Sequence, residues 1–246
     1  MSKILKITIG IRPYSRMFRV SSLHGILIDE ILGARGKGVL DDEYFKGISK
    51  NDDQTLVRLI NEDEGNFIQI DQENVTFTKD FYVCEESFDW KKCFVEFCYL
   101  WKLINKTLKM CDVRRIGIVG EIRYESSEKN IPSQAILGKL TTFPSIAHPA
   151  KARVRYEDRR PTVEGVAPDV HKSDYINVIH DIYDGETDAD HPSEKFIYST
   201  LDTQRYYSPL LNSDVEKEVE KLFKQFTIEK EKIIKFLDSK GIVSNG

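Results

Sequence analysis

Nowhere in the 246 residues is there an apolar run approaching the roughly 20 residues that a membrane-spanning helix needs. The opening Met1-Ser2-Lys3-Ile4-Leu5-Lys6 carries lysine but too short an apolar stretch for a signal peptide. No membrane partner is expected, and the chain reads as cytoplasmic. Cysteine is scarce and badly spaced for metal or disulfide work. Cys84, Cys93, Cys98 and Cys111 crowd into one segment without a CxxC pair, which points to free, mostly buried thiols. Positive charge is in deficit too. Lys and Arg total 36 against 40 Asp and Glu, a net charge of −4, so no global field draws the chain to nucleic acid or an anionic membrane.

The familiar catalytic signatures are missing as well. There is no GxSxG elbow and no HExxH. The cluster Gly33-Ala34-Arg35-Gly36-Lys37-Gly38 falls short of a phosphate loop. Two residues, where four are needed, separate Gly33 from Gly36-Lys37, Gly38 stands where a hydroxyl would bind magnesium, and the predicted helix precedes the glycines. A nuclease-like Glu-x-Lys is absent, since Glu194 and Lys195 are adjacent. No cofactor is expected, and the chain reads as a non-enzyme.

What is present is an ordinary globular composition, 40% hydrophobic and 31% charged. Residues 4–11 alternate as a strand, and a bend at Pro13 leads to a second extended piece through Val20. Ser21-Ser22 then offers a cap for a short helix over 23–32. Residues 55–60 are compatible with a strand or a helical turn. Two β-prone runs over 67–78 flank the polar turn 71–74, a hairpin signal. Trp90, Phe94, Phe97, Trp101, Ile104 and Leu108 follow at steps of four and three, an aromatic stripe on one helix face with Ser87 or Asp89 as cap. A strand over 114–124 follows, with Gly117 and Gly120 as bulge candidates. After a short helix over 134–140 and a proline-edged loop, strands are predicted over 151–156, 174–183 and 195–204. A last long helix carries Val215, Val219, Leu222, Phe226, Ile233 and Leu237 on one face, capped by Ser213 or Asp214 and closed by Gly241.

Strands followed by a long amphipathic helix thus occur twice. The expected fold is α+β, two similar halves, each a mainly antiparallel sheet covered by a long helix. The divisions are residues 1–130, a connecting segment 131–150, and residues 151–246.

Two clusters are candidate sites. Lys151, Arg153 and Arg155 alternate on one strand face with Arg159 and Arg160 beyond, and Arg12, Arg16 and Arg19 are interleaved with Tyr14 and Phe18. Arginine beside exposed aromatics suits phosphate contacts and base stacking, provided the two segments are neighbours. The bland reading is the solvated outer face of a half-buried strand. His180, Asp181, Asp184 and His191 are the densest set of metal ligands, although their spacing matches no calcium loop. An acidic, solvated turn between strands is the competing account.

The run Phe67-Ile68-Gln69-Ile70-Asp71 before an aromatic helix, Arg114-Arg115-Ile116-Gly117-Ile118 after it, the strand over 175–183 and the terminal Leu222-Phe223-Lys224-Gln225-Phe226-Thr227 together resemble a sporadically distributed bacterial protein family of unknown function. Where that family has an Asn-Trp pair, this chain has Phe77-Thr78. The resemblance implies patchy occurrence, as in antiviral defence loci or mobile elements, and supplies no catalytic residues. The leading expectation is a non-enzymatic interaction or regulatory protein with a protein partner or a second copy of itself, for example an accessory subunit in such a system. The alternatives are a nucleic-acid-binding module and a metal-dependent hydrolase.

Overall fold

The structure, a computed structural model, describes residues 2–51, 54–83, 87–126, 132–141, 152–184, 196–212 and 214–243. Its centre is one nine-stranded sheet in which every pairing is antiparallel. In chain order the elements are β1 (Ser2–Pro13), α1 (Arg19–Leu32), β2 (Gly47–Lys50), β3 (Leu56–Asn61), β4 (Asn66–Asp71), β5 (Val75–Asp80), α2 (Trp90–Leu108), β6 (Val113–Glu125), α3 (Pro132–Leu140), β7 (Arg153–Pro161), β8 (Tyr175–Asp184), β9 (Phe196–Leu211) and α4 (Val215–Ser239). Across the sheet the strands run β2-β3-β4-β5-β1-β6-β9-β8-β7.

The strands predicted for the two stretches share this single sheet, in place of a sheet for each. Their seam is the pair β6 and β9, in unbroken register from Arg115↔Tyr206 to Glu125↔Phe196. On the face under the helices β6 contributes Ile116, Ile118 and Ile122 and β9 contributes Ile197 and Leu201, with the small buried hydroxyls of Ser199 and Thr203 between them, so joining the strands buries one shared, mainly apolar surface.

The helices pack on that apolar face. Phe226 of α4 lies over Gly120, where an added Cβ would stand 2.4 Å from the ring, so the glycine makes room for an aromatic and forms no bulge. The register shifts of β6 against its neighbours lie instead at Arg12/Pro13 and Val113/Arg115, and between Ile4 and Lys6. Phe97 of α2 meets Phe77 of β5, and α1 packs on α2 and β3. Stacked Trp90 and Phe223 join α2 to α4 at 3.5 Å between centroids. Ile136 of α3 is fully buried in the same core, and Lys139 of α3 donates to the carbonyl of Gly241 beyond α4.

Local signals place most boundaries. Asp89 caps α2 by accepting from the amides of Lys91 and Lys92. Asp71 Oδ1 accepts from the amides of Glu73 and Asn74, which closes the β4–β5 hairpin. Residues 56–61 form a strand, and β2 is an element that the sequence pattern did not announce. The extended piece expected through Val20 is absent. The chain turns after Pro13 and α1 begins at Arg19, because the Met17 amide donates to Gln72 and the Val20 amide to Met17, which starts a helical turn before Ser21-Ser22. Asp214 stands at the α4 N-cap without a side-chain capping bond, and Ser213 lies outside the described residues. Cys93 is buried, Cys98 half-buried and Cys111 exposed, all as free thiols, while Cys84 lies outside the described residues. Among the described residues no helix is long and apolar enough to cross a membrane.

Candidate binding face

Because side chains alternate along a strand, the face opposite the helices carries the other half of each sequence. Reading the register from β1 to β7 gives its rows. One runs Arg12, Arg115, Tyr206, Tyr175 and Pro161, and the next Gly10, Gly117, Gln204, Asn177 and Arg159. Further along come Thr8, Val119, Asp202, Ile179 and Glu157, then Lys6, Glu121, Thr200, Asp181 and Arg155. Among the described residues no helix lies on this face, and its side chains are mainly polar or aromatic, with Val119 and Ile179 among them, and mostly part-exposed.

A directed chain of hydrogen bonds crosses its centre. Arg115 Nη1 donates to Tyr206 Oη (3.2 Å), the Tyr206 hydroxyl to Gln204 Oε1 (3.0 Å), and Gln204 Nε2 to Asp202 Oδ2 (2.6 Å). The Tyr206 ring stacks on Tyr175 at 4.5 Å, with Arg114 and Arg115 at 5.8 and 5.7 Å from its centroid. Burial raises the Asp202 carboxyl above its ordinary range, against the opposing pull of the Gln204 bond and of Arg115 and Arg155. Burial likewise pushes the Tyr175 phenol up to about 12.

The basic residues singled out in the sequence fall into separate places. Arg153, Arg155 and Arg159 do project together onto this face. Arg153 forms a two-pronged pair with Asp181, and Arg159 donates to Glu157 at 2.8 Å. Arg160 points the other way, under α4, where it grips Glu229 at 2.7 and 3.2 Å. Arg12 and Arg16 share Glu73 at 3.3 and 3.2 Å, and Arg19 reaches the carbonyl of Leu108. Arg159 lies one row from Arg12 but four strands away across the sheet, about 19 Å at the usual strand spacing, and Arg153 lies about 20 Å further along β7. The two basic segments therefore do not form one patch. Lys151 lies outside the described residues.

The prospective metal ligands are divided between faces. His180 faces α4, buried, with Nε2 3.9 Å from Glu229 Oε2 and its ring stacked on Tyr156 at 4.7 Å. Burial pushes its pKa below the ordinary imidazole value. Its neighbour Asp181 faces the bare side and is engaged by Arg153. Asp184 ends β8, and His191 lies outside the described residues. Among the described residues no three metal-ligating side chains converge.

Sequence reasoning overlooked Asp202, Gln204 and Tyr206. The alternation that would have marked them is weak, because the residues between them on β9 (Thr203 and Arg205) are polar as well, and polar alternation does not separate a working surface from a wetted one. No family model and no curated protein sequence matches the chain.

Proposed function

We propose that this chain is a non-enzymatic interaction protein that docks a protein partner on the bare face of its sheet. The observation that carries the reading is the charge arithmetic of that face. Arg153 is matched by Asp181, Arg159 by Glu157, Arg12 by Glu73 and Lys6 by Asp80, while Arg115 and Arg155 both act on the carboxyl of Asp202 between them. A polyanion-binding surface leaves its positive charge uncompensated, whereas mixed, locally matched charge with embedded tyrosines suits a polar protein interface. The role of an accessory or regulatory subunit, in the defence or mobile-element setting that the family resemblance implies, extends the same reading.

The test is site-specific photocrosslinking in cells, with benzoyl-phenylalanine at Thr76, Val119 or Thr200 on the bare face and at Lys217 or Lys235 on the outside of α4. A protein adduct of one defined mass from the bare-face positions alone supports the proposal. Equal labelling from both faces, or none from either, overturns it. Fluorescence anisotropy with a single-stranded oligonucleotide checks the rival. Salt-sensitive binding that Arg155→Glu weakens by tenfold or more replaces the protein partner with nucleic acid.

A further inference from the structure

A cleft of about 270 Å³ opens where the β1–α1 turn meets the end of α2. Its floor is apolar, with Met17 and Leu108 buried and Met110 packed against the core. Its rim is basic. Arg16, Arg19 and Lys109 line it, and no Asp or Glu does. In a chain of net charge −4 this is a local reversal of sign. Phe18 stands on the cleft 68% exposed, a large apolar side chain left in water. The first turn of α1 opens beside it with Phe18 as N-cap, so that the turn has neither a capping side chain nor an acidic residue to complement its partial positive charge.

We propose that this cleft captures the carboxyl terminus of a partner polypeptide whose last residue is apolar. The cavity lies just below the range of about 300–1,000 Å³ common for small-molecule sites, which suits a single aliphatic side chain. The terminal carboxylate then meets Lys109 and Arg19, whose Nη1 also reaches the Leu108 carbonyl at 3.5 Å; the first turn of α1 adds its partial positive charge only, since the amides of Phe18 and Val20 already donate to the carbonyls of Arg16 and Met17. Arg16 is already engaged by Glu73 and contributes less. The cleft belongs to the helix layer, so the inference stands independently of the bare-face reading.

The experiment is fluorescence anisotropy with a labelled hexapeptide, Gly-Ser-Gly-Ser-Gly-Leu, bearing a free carboxylate. Saturable binding is expected, at least tenfold weaker for the amidated peptide and for one ending in glycine, and falling with salt. Arg19→Glu is expected to abolish binding while leaving the thermal melting midpoint unchanged or raised, since an acidic residue suits a helix start. Arg155→Glu on the bare face is expected to change nothing. Equal affinity for the amidated peptide, no saturation at millimolar protein, or displacement by octanoate at lower concentration than by unlabelled peptide would each overturn the proposal.

Discussion

Two glutamates are buried under the sheet, and they are held differently. Glu96 of α2 accepts from the Tyr44 hydroxyl at 2.7 Å, with Lys79 Nζ at 3.8 Å, and both ionic side chains are almost fully enclosed. Glu229 of α4 is equally buried, but it takes both prongs of Arg160, the Gln225 amide and Lys232 at 2.8 Å. Burial alone would raise Glu229, yet the bonds from Arg160 and Lys232 hold it down at about 2. The second site lies beside the edge strand β7, and Lys232 and Arg160 keep much of their length in water. The contrast teaches that burial of a carboxylate is tolerated in two ways, by enclosure beside an equally enclosed cation or by several donors reaching in from the rim. Removing one partner should be far worse in the first case.

The largest expected effect follows from that. Lys79→Met removes the enclosed cation 3.8 Å from Glu96 and should cost about 3–5 kcal/mol in urea unfolding. Adding Glu96→Leu should recover most of the loss, and failure to recover would mean that Lys79 acts through packing. Arg160→Met leaves Glu229 with Gln225 and Lys232, so about 1–3 kcal/mol is expected by the same measurement. A loss equal to that of Lys79→Met would erase the comparison. Tyr44→Phe should cost about 1.5–3 kcal/mol, the loss of one buried hydrogen bond to a charged acceptor.

The sites should also separate with pH. His180 has a folded pKa below its unfolded value of 6.5, so the fold binds fewer protons than the unfolded chain. Its contribution is complete above 6.5 and is lost as pH falls below that value. Glu229, at about 2 against an ordinary 4.5, contributes fully above 4.5 and loses its contribution as pH falls from there to about 2. Unfolding free energies at pH 7.5 and 5.5 should therefore differ less in His180→Phe than in the parent chain, while the fall below pH 4.5 should be smaller in Glu229→Gln. The smallest effect is expected for Arg155→Glu on the exposed face, within about 0.5 kcal/mol.

Much of the fold was legible because its signals are short-ranged. The stripe from Trp90 to Leu108 and the Asp89 cap mark α2, and the Asp71 turn marks the β4–β5 hairpin, each through residues within a few positions of one another. The start of α1 was misread because an interaction between Met17 and Gln72, far apart in sequence, set it. The bare face was half legible. Alternation put Arg153 and Arg155 on one side of β7, but that the strand runs on so that Arg159 joins them, and that Asp202 and Gln204 share the face, depended on pairings between strands well apart in sequence.

By itself, then, the sequence determined where most of the elements lie, β2 and the start of α1 excepted, because periodicity, caps and turn chemistry act over one or two turns of chain. Only the tertiary structure decided that β6 pairs with β9, that Arg160 meets Glu229 across 69 residues, and that a polar surface is left uncovered among the described residues. Those outcomes follow from burying one apolar face against a shared helix layer, a long-range requirement that no local segment encodes.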